Sequence, residues 1–581
     1  MSFKPLGPSD VATETLQKFK QLYNVKTSDA FLLGSSTITD EMKCIGTFVD
    51  LDLLRNKNTS DGPIELLRIP HVSTFSIHTI LNIINDKSQY PTQQQFEDTI
   101  SIVKQFLASS LSNDAIAANL SETLVLVVYF VVFERLQQMG YALPAIICDF
   151  LSNVLLTTQV GSFYTALPDF KTDVNLELMG QYGLSDLSCV FESLVDICSQ
   201  SFDAAADPKV VASIMASVIS RCLEIPQELE ANSDDFQVHT TLVPILDYAN
   251  HDNQRVNAHF DIDRQTNDLL LYLDIEKCLD KGGICEVFIS YDPIHEFVHF
   301  QKVYGFSPPL EPDTPSYMNC CLDKKFLASN MNLDLFYKWF DIKPCVQFCF
   351  FDGRVYINDC IESFKWLTIP FFTQEFPTQP SAKFFYDEQV PKIFARYFAR
   401  ARGGDAGDFI DICQEQVEYS QQSGSESIDM PQLAWVLQYA QDNVTVRRRL
   451  DKKQITELSE YNFKLARDSF VAYLLKYLQW RQKQLQDKLT SLSISLKSVA
   501  TLELDMITQV IRQRESNGCL FLSDTNLDRN RFQDQPIPPL LATSSHRYSS
   551  PATQERVNFE DQFSSTDPQA EYLYYEYFFS P

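Results

Sequence analysis

The chain has 581 residues, enough for about two to four domains that each bury a core of their own. Its 45% hydrophobic and 21% charged content is that of an ordinary globular protein and excludes a disordered or fibrous chain. With 48 basic against 76 acidic residues the formal charge is −28, which argues against non-specific binding to nucleic acid or to an anionic membrane. The same charge suits a basic protein partner, or solubility alone.

The 14 cysteines are scattered, with Cys320-Cys321 and Cys345-x-x-x-Cys349 the densest spots, and there are only 8 histidines. No zinc-ligand spacing results. Scattered cysteines in a long chain fit a reducing compartment and a role as small buried hydrophobes. Met-Ser-Phe-Lys-Pro-Leu-Gly-Pro at the start lacks both a signal-peptide core and a transit-peptide pattern. The most apolar run, residues 124–133, is about half the length of a bilayer span. A cytoplasmic protein with no membrane association is expected.

Residues 9–25 carry a weak helical pattern. Two strand-like segments follow: Ile45-Gly46-Thr47-Phe48 lies in the first, and Ile64-Glu-Leu-Leu-Arg-Ile69 is the second, stopped by Pro70. From about residue 76 to 238 the period changes to that of helices. Ser121 caps a run apolar on nearly every face that ends at Gly140, and further helices are expected at 92–111, 185–200 and 207–223. Strand character returns near 240. Asn257–Asp263 and Asp268–Asp274 flank a plausible hairpin turn, Cys285 to Tyr291 reads as a strand, and residues 297–304 read as a helix. Residues 311–370 are aromatic and mixed. Residues 388–403, 427–443 and 447–489 are strongly helical. From about 516 the chain is rich in Ser, Pro, Asp and Asn and ends on an aromatic cluster, which reads as a largely disordered tail.

Polar residues concentrate where apolar strands end, in Asp247-Tyr-Ala-Asn250-His251 and again at Tyr291 and at Tyr304-Gly305-Phe306. Each has an ordinary explanation alone: Asn250 as a turn residue, His251 as a satisfied core histidine, the tyrosines as sheet aromatics. Their order and spacing say more. An Asp-x-x-Asn-His strand, then Phe288-Ile-Ser-Tyr291, then Tyr-Gly-Phe, preceded by Ser220-Arg221 and by the Ile45-Gly46 strand, resembles the SET-domain protein methyltransferases. It is most similar to the branch of Rubisco large-subunit methyltransferase and the fungal elongation-factor and ribosomal-protein lysine methyltransferases. Cys44 stands where the family has the first glycine of a Gly-x-Gly pair.

The resemblance implies an α+β fold: a SET-type β-rich core split by a helical insertion, followed by a mostly helical C-terminal domain. The parts would be residues 1–75, the insertion at 76–238, the second part of the core at 239–310, a helical substrate-binding-like domain at 311–515, and the tail at 516–581. It implies a protein-lysine N-methyltransferase that uses S-adenosylmethionine and no metal. Tyr291 would be the catalytic tyrosine. Ile45, Gly46, Arg221, Asp247, Asn250, His251, Tyr304 and Phe306 would hold the cofactor, with Arg221 facing its carboxylate and Phe306 stacking on adenine. The expected substrate is a basic protein of the translation machinery, elongation factor 1A first and a ribosomal protein second, met by a monomeric enzyme. Alternatives are a degenerate SET-fold interaction protein, or a histidine or cytochrome c methyltransferase of the same fold.

Overall fold

A computed structural model describes residues 11–39, 42–55, 62–157, 160–169, 173–228, 236–278, 282–328, 344–358 and 452–523. The helices expected at 388–403 and 427–443 and nearly all of the C-terminal tail lie outside these residues.

The core is assembled from two stretches far apart in the sequence. Phe31–Thr39 and Met42–Asp50 form an antiparallel hairpin, and the strand Ile284–Glu286 adds to Met42–Asp50 with Glu286 opposite Phe48. Ile64–Ile69 pairs with Leu269–Leu273, which pairs in turn with Ala258–Ile262 in the hairpin read from the sequence. Alternation explains the pairing: Leu67, Ile69, Leu269, Leu271 and Leu273 are buried on the inner face. The initial helix, Val11–Leu22, packs near the strand Phe31–Thr39 and buries Phe19 against Tyr248, and Tyr23 just beyond it is fully buried.

Between the two stretches lies the helical insertion. Its centre is Glu122–Gln138, in which every residue from Leu124 to Leu136 is buried. The Ser121 hydroxyl accepts from the Leu124 amide at 3.1 Å, a cap worth about 1 kcal/mol. Gly140, at φ +79°, turns the chain away from the helix end. Gln93–Leu111, Ser185–Ser201 and Pro208–Arg221 surround this helix, close to the bounds that periodicity predicts. The insertion does not stay helical to 238, however. Cys222–Glu228 and Phe236–Leu242 form a two-stranded antiparallel ribbon, with Pro226 opposite Val238. Proline is tolerated there because a ribbon leaves half of its backbone groups unpaired.

The aromatic segment after 310 also differs from its sequence reading. Ser316–Cys321, Cys345–Phe351 and Arg354–Asn358 form an antiparallel meander, with His295–Glu296 on one edge and Leu522–Ser523 on the other. Cys321 and Cys345 stand opposite each other in this sheet and are joined as a disulfide, a pairing without a local sequence signature. Cys198, Cys285, Cys320 and Cys349 are buried, as expected of small core hydrophobes. The long helices Lys452–Lys488 and Ile494–Asn517 complete the described C-terminal region. The architecture is therefore α+β, with a split β-rich core, a helical insertion and long C-terminal helices.

One buried polar cluster ties the C-terminal helices to the insertion. The Arg481 guanidinium donates to both Glu503 carboxylate oxygens, at 2.7 and 2.8 Å, and to Gln181 Oε1 at 2.5 Å. Tyr182 donates to Glu503 at 2.7 Å, and Gln181 in turn donates to Asp323.

Candidate active site

The split core brings Gly46 against the second half of the site. A Cβ at position 46 would stand 2.8 Å from Asn250 Nδ2, 2.8 Å from Glu286 Oε1 and 2.9 Å from Ser36 Cβ. Only glycine lets the strand approach this closely. Asn250 Nδ2 donates to Glu286 Oε1 at 3.0 Å. Burial pushes the Glu286 carboxyl upward in pKa, opposed by hydrogen bonds from Ser36 and Asn250. Ile45, next to Gly46 in the strand, points to the opposite face and is 37% exposed.

Asn250 and His251 form a short strand parallel to Phe288–Ile289. The chain enters it through Ile245, a fully buried β-branched residue held at φ +74°. Such a conformation is strained and persists only where the surroundings impose it. Two residues later the buried Asp247 carboxylate meets Arg221 Nη1 at 3.1 Å, and Arg221 also donates to the Asp247 carbonyl at 2.9 Å. The Arg221 guanidinium lies over the Tyr248 ring, 5.1 Å from its centre. Burial pushes the Asp247 carboxyl upward, and the Arg221 charge opposes that. Arg221 and Asp247, both expected at the cofactor, are thus each other's partners at the base of the Asn-His strand.

Tyr291 donates its hydroxyl hydrogen to the Ala249 carbonyl at 2.8 Å, and its backbone N–H goes to His251 Nδ1 at 3.0 Å. Its ring centre is 4.6 Å from that of Tyr304 and 5.2 Å from that of His251. Phe306 joins the cluster through His251 at 6.4 Å and Phe300 at 5.8 Å. Between Tyr304 and Phe306, Gly305 adopts φ +78°, and a Cβ there would sit 2.7 Å from the Gly161 amide nitrogen. Gln301 Nε2 donates to the Gly161 carbonyl at 2.7 Å, so the Tyr-Gly-Phe turn is pinned against the helical insertion.

Gly46, Asn250, His251, Tyr291, Tyr304 and Phe306 therefore converge. Sequence reasoning missed Glu286, Asn253, Asn257 and His295. Asn257 accepts from the Phe288 amide and donates to the Glu286 carbonyl, both at 2.9 Å, and so clamps the strand that leads to Tyr291. Two signals were available: a lone carboxylate inside the apolar Ile284-Cys-Glu-Val-Phe-Ile289, and a concentration of His251, His259, His295 and His299 in a chain with 8 histidines. A separate small cleft, lined by His71, Ile225, His239 and Leu269 among others, contains none of the converging residues.

A family model described as cytochrome c lysine N-methyltransferase 1 matches residues 13–555. The Saccharomyces cerevisiae protein of that name is 28% identical over 549 residues, 91% of each chain. Its namesake in Eremothecium gossypii is 32% identical over 335 residues, which cover 57% of this chain and 68% of that one. Among solved structures, Rubisco LSMT bound to AdoMet aligns with 79% of this chain and 93% of its own at 12% identity and a TM-score of 0.36. The protein is an enzyme of the protein-lysine N-methyltransferase class. Within that class, the chain belongs to the cytochrome c lysine N-methyltransferase 1 family.

This membership overturns the expectation of a translation-machinery substrate. The relatives are named for cytochrome c, so what stood as an alternative replaces the elongation factor and ribosomal proteins. The physical reason is that the motif speaks to the chemistry of the transfer and not to its target. It carries no record of the protein surface that delivers the lysine.

Proposed function

We propose that this enzyme transfers a methyl group from S-adenosylmethionine to a lysine side chain of cytochrome c. The observation that carries the reading is the family match across residues 13–555. The site suits the donor: glycine at 46 lets its strand pack directly against Asn250 and Glu286 and so bring the two halves of the core together. The rings of His251, Tyr291, Tyr304 and Phe306 offer faces for an adenine or a sulfonium cation. Asn250, His251 and Gly46 would hold the donor together with Tyr304 and Phe306. Arg221 and Asp247 would fix the Asn-His strand, and the Arg221 guanidinium would face the donor's carboxylate. The sulfonium supplies an activated methyl group for in-line displacement.

The acceptor amine must be neutral to attack. A free lysine, with pKa about 10.4, is neutral in fewer than about one molecule in a thousand at pH 7. A half-buried aromatic surround disfavours the ammonium and raises that fraction. The Tyr291 hydroxyl, held by the Ala249 carbonyl, presents its oxygen lone pairs to orient the amine, so no strong base is needed. Holding amine and methyl in line lowers the barrier by several kcal/mol more. Residues 311–515 would supply contacts to the protein substrate, and the enzyme would act as a cytoplasmic monomer.

The test is transfer of label from methyl-labelled S-adenosylmethionine to purified cytochrome c and, in parallel, to elongation factor 1A, with fragment masses locating the methyl group. Label on a cytochrome c lysine is expected. Label on the elongation factor alone, or on a histidine, would refute the proposal.

A further inference from the structure

The hydrogen bonds around His251 fix where each proton sits. Its Nδ1 accepts from the Tyr291 backbone N–H at 3.0 Å, so the neutral ring carries its hydrogen on Nε2. That Nε2 lies 2.9 Å from His295 Nε2 and must donate to it. Asn253 Nδ2 also approaches His295 Nε2 at 3.0 Å. The Asn253 orientation is set independently, because its Oδ1 accepts from Ser290 at 2.7 Å and its Nδ2 donates to the Asp292 carbonyl at 3.0 Å. His295 Nε2 is therefore an acceptor for two donors, and its own hydrogen is on Nδ1. That Nδ1 is buried and has no hydrogen-bond partner among the described residues. An unpartnered buried donor is unfavourable, and a fold that keeps one beside its reaction centre has a use for the opposite edge of the ring.

We propose that His295 is a positioning residue for methyl transfer: by accepting from His251 Nε2 it locks the His251 tautomer and ring angle, and through the His251–Tyr291 bond it sets the Tyr291 backbone. The chain of contacts is continuous. His295 holds His251 and Asn253, His251 holds the Tyr291 amide, and the Tyr291 phenol reaches back to Ala249 on the Asn-His strand. His251 and His295 pack edge to face at 5.1 Å, and the Phe300 ring, 5.0 Å from His295 and 5.1 Å from His251, backs both. Without an acceptor at 295 the His251 ring is free to flip or to change tautomer, and the Tyr291 amide loses its partner.

The inference rests on the reading of Tyr291 as the group that orients the amine, and two arms separate the two claims. In the first, His295→Gln and His295→Leu are compared in the full chain with labelled S-adenosylmethionine and the protein substrate. Glutamine places a carbonyl oxygen near the position of Nε2 and can accept both hydrogens. Turnover of His295→Gln is expected within about threefold of wild type, and that of His295→Leu about tenfold or more lower at unchanged KM, the scale of one lost hydrogen bond. Equal loss in both variants, or wild-type turnover in His295→Leu, would overturn the proposal. The second arm needs no variant at position 295. Nitrogen NMR of histidine-labelled wild-type chain, with His251 assigned by loss of its signal in His251→Gln, is expected to show the Nε2–H tautomer. The Nδ1–H tautomer would overturn the proposal even if Tyr291→Phe retained full turnover, a result that would refute the role of Tyr291 alone.

Discussion

Asn250 and Glu286 share a 3.0 Å hydrogen bond in the space that a side chain at position 46 would occupy. The glycine, the amide and the carboxyl come from three strands of a split core, so each one constrains the other two. Gly46 has no positive φ, and the restriction is therefore steric alone. Gly46→Ala is expected to displace Asn250 and Glu286, with a stability loss of about 1–3 kcal/mol from overpacking and donor binding weakened about tenfold or more. Titration calorimetry with S-adenosylmethionine, alongside urea denaturation, measures both.

Tyr291 makes its phenolic hydrogen bond to a backbone carbonyl, and loss of that bond removes about 1 kcal/mol of stability. Tyr291→Phe should leave the melting temperature within a few degrees of wild type. Turnover should fall about tenfold or more at unchanged KM for the protein substrate, because the ring remains and only the oriented oxygen is lost. Steady-state kinetics with labelled donor separate the two effects.

Burial lowers the pKa of His251 to about 4 and that of His295 to about 3. Both rings are held neutral in the folded state, whereas in the unfolded chain they take up protons near pH 6.5. The unfolded state therefore binds more protons as the pH falls below that value. The stability contributed by the neutral pair is complete above about pH 6.5 and declines as the pH drops toward about 4 and then about 3. Each histidine adds a slope of up to about 1.4 kcal/mol per pH unit in that window. Denaturation midpoints should fall between pH 6.5 and 5, and the fall should be shallower in His295→Gln.

Arg481 and Glu503 are both about 1% exposed and form a two-pronged pair. Removing one partner leaves a buried charge uncompensated, which is unfavourable by about 3–5 kcal/mol. Arg481→Met and Glu503→Leu should each destabilise the chain strongly, and the two combined should be less harmful than the sum of the separate changes. Urea midpoints of the three variants provide the double-mutant comparison.

The sequence carries the helices of the insertion, the Asn-His strand, Tyr291 and the Tyr-Gly-Phe turn because each has a local signature: a period, a cap, a spacing. It does not announce Glu286 or His295 as site residues, since their roles depend on strands paired across the insertion. The ribbon of Cys222–Glu228 and Phe236–Leu242 was hidden by the helix that runs straight into it. The meander beginning at Ser316 was hidden by a mixture of cysteine and aromatic residues with no clean alternation. The substrate was least legible. An acidic charge of −28 complements any basic protein, and the motif holds no information on the partner's surface.

Glu503 answers Arg481, Tyr182 donates to Glu503, and Gly161, in the same insertion as Tyr182, lies against the turn that carries Tyr304 and Phe306. This order has a consequence during synthesis. A growing chain that has emerged through Phe306 already possesses all of the converging residues, yet the insertion that braces them still lacks the buried Glu503 that Tyr182 donates to. Only when the helix bearing Glu503 leaves the ribosome can Arg481 and Tyr182 be satisfied together. The enzyme thus becomes competent only after residue 503 has been made, and a product cut short before it would carry an intact motif on an unbraced frame.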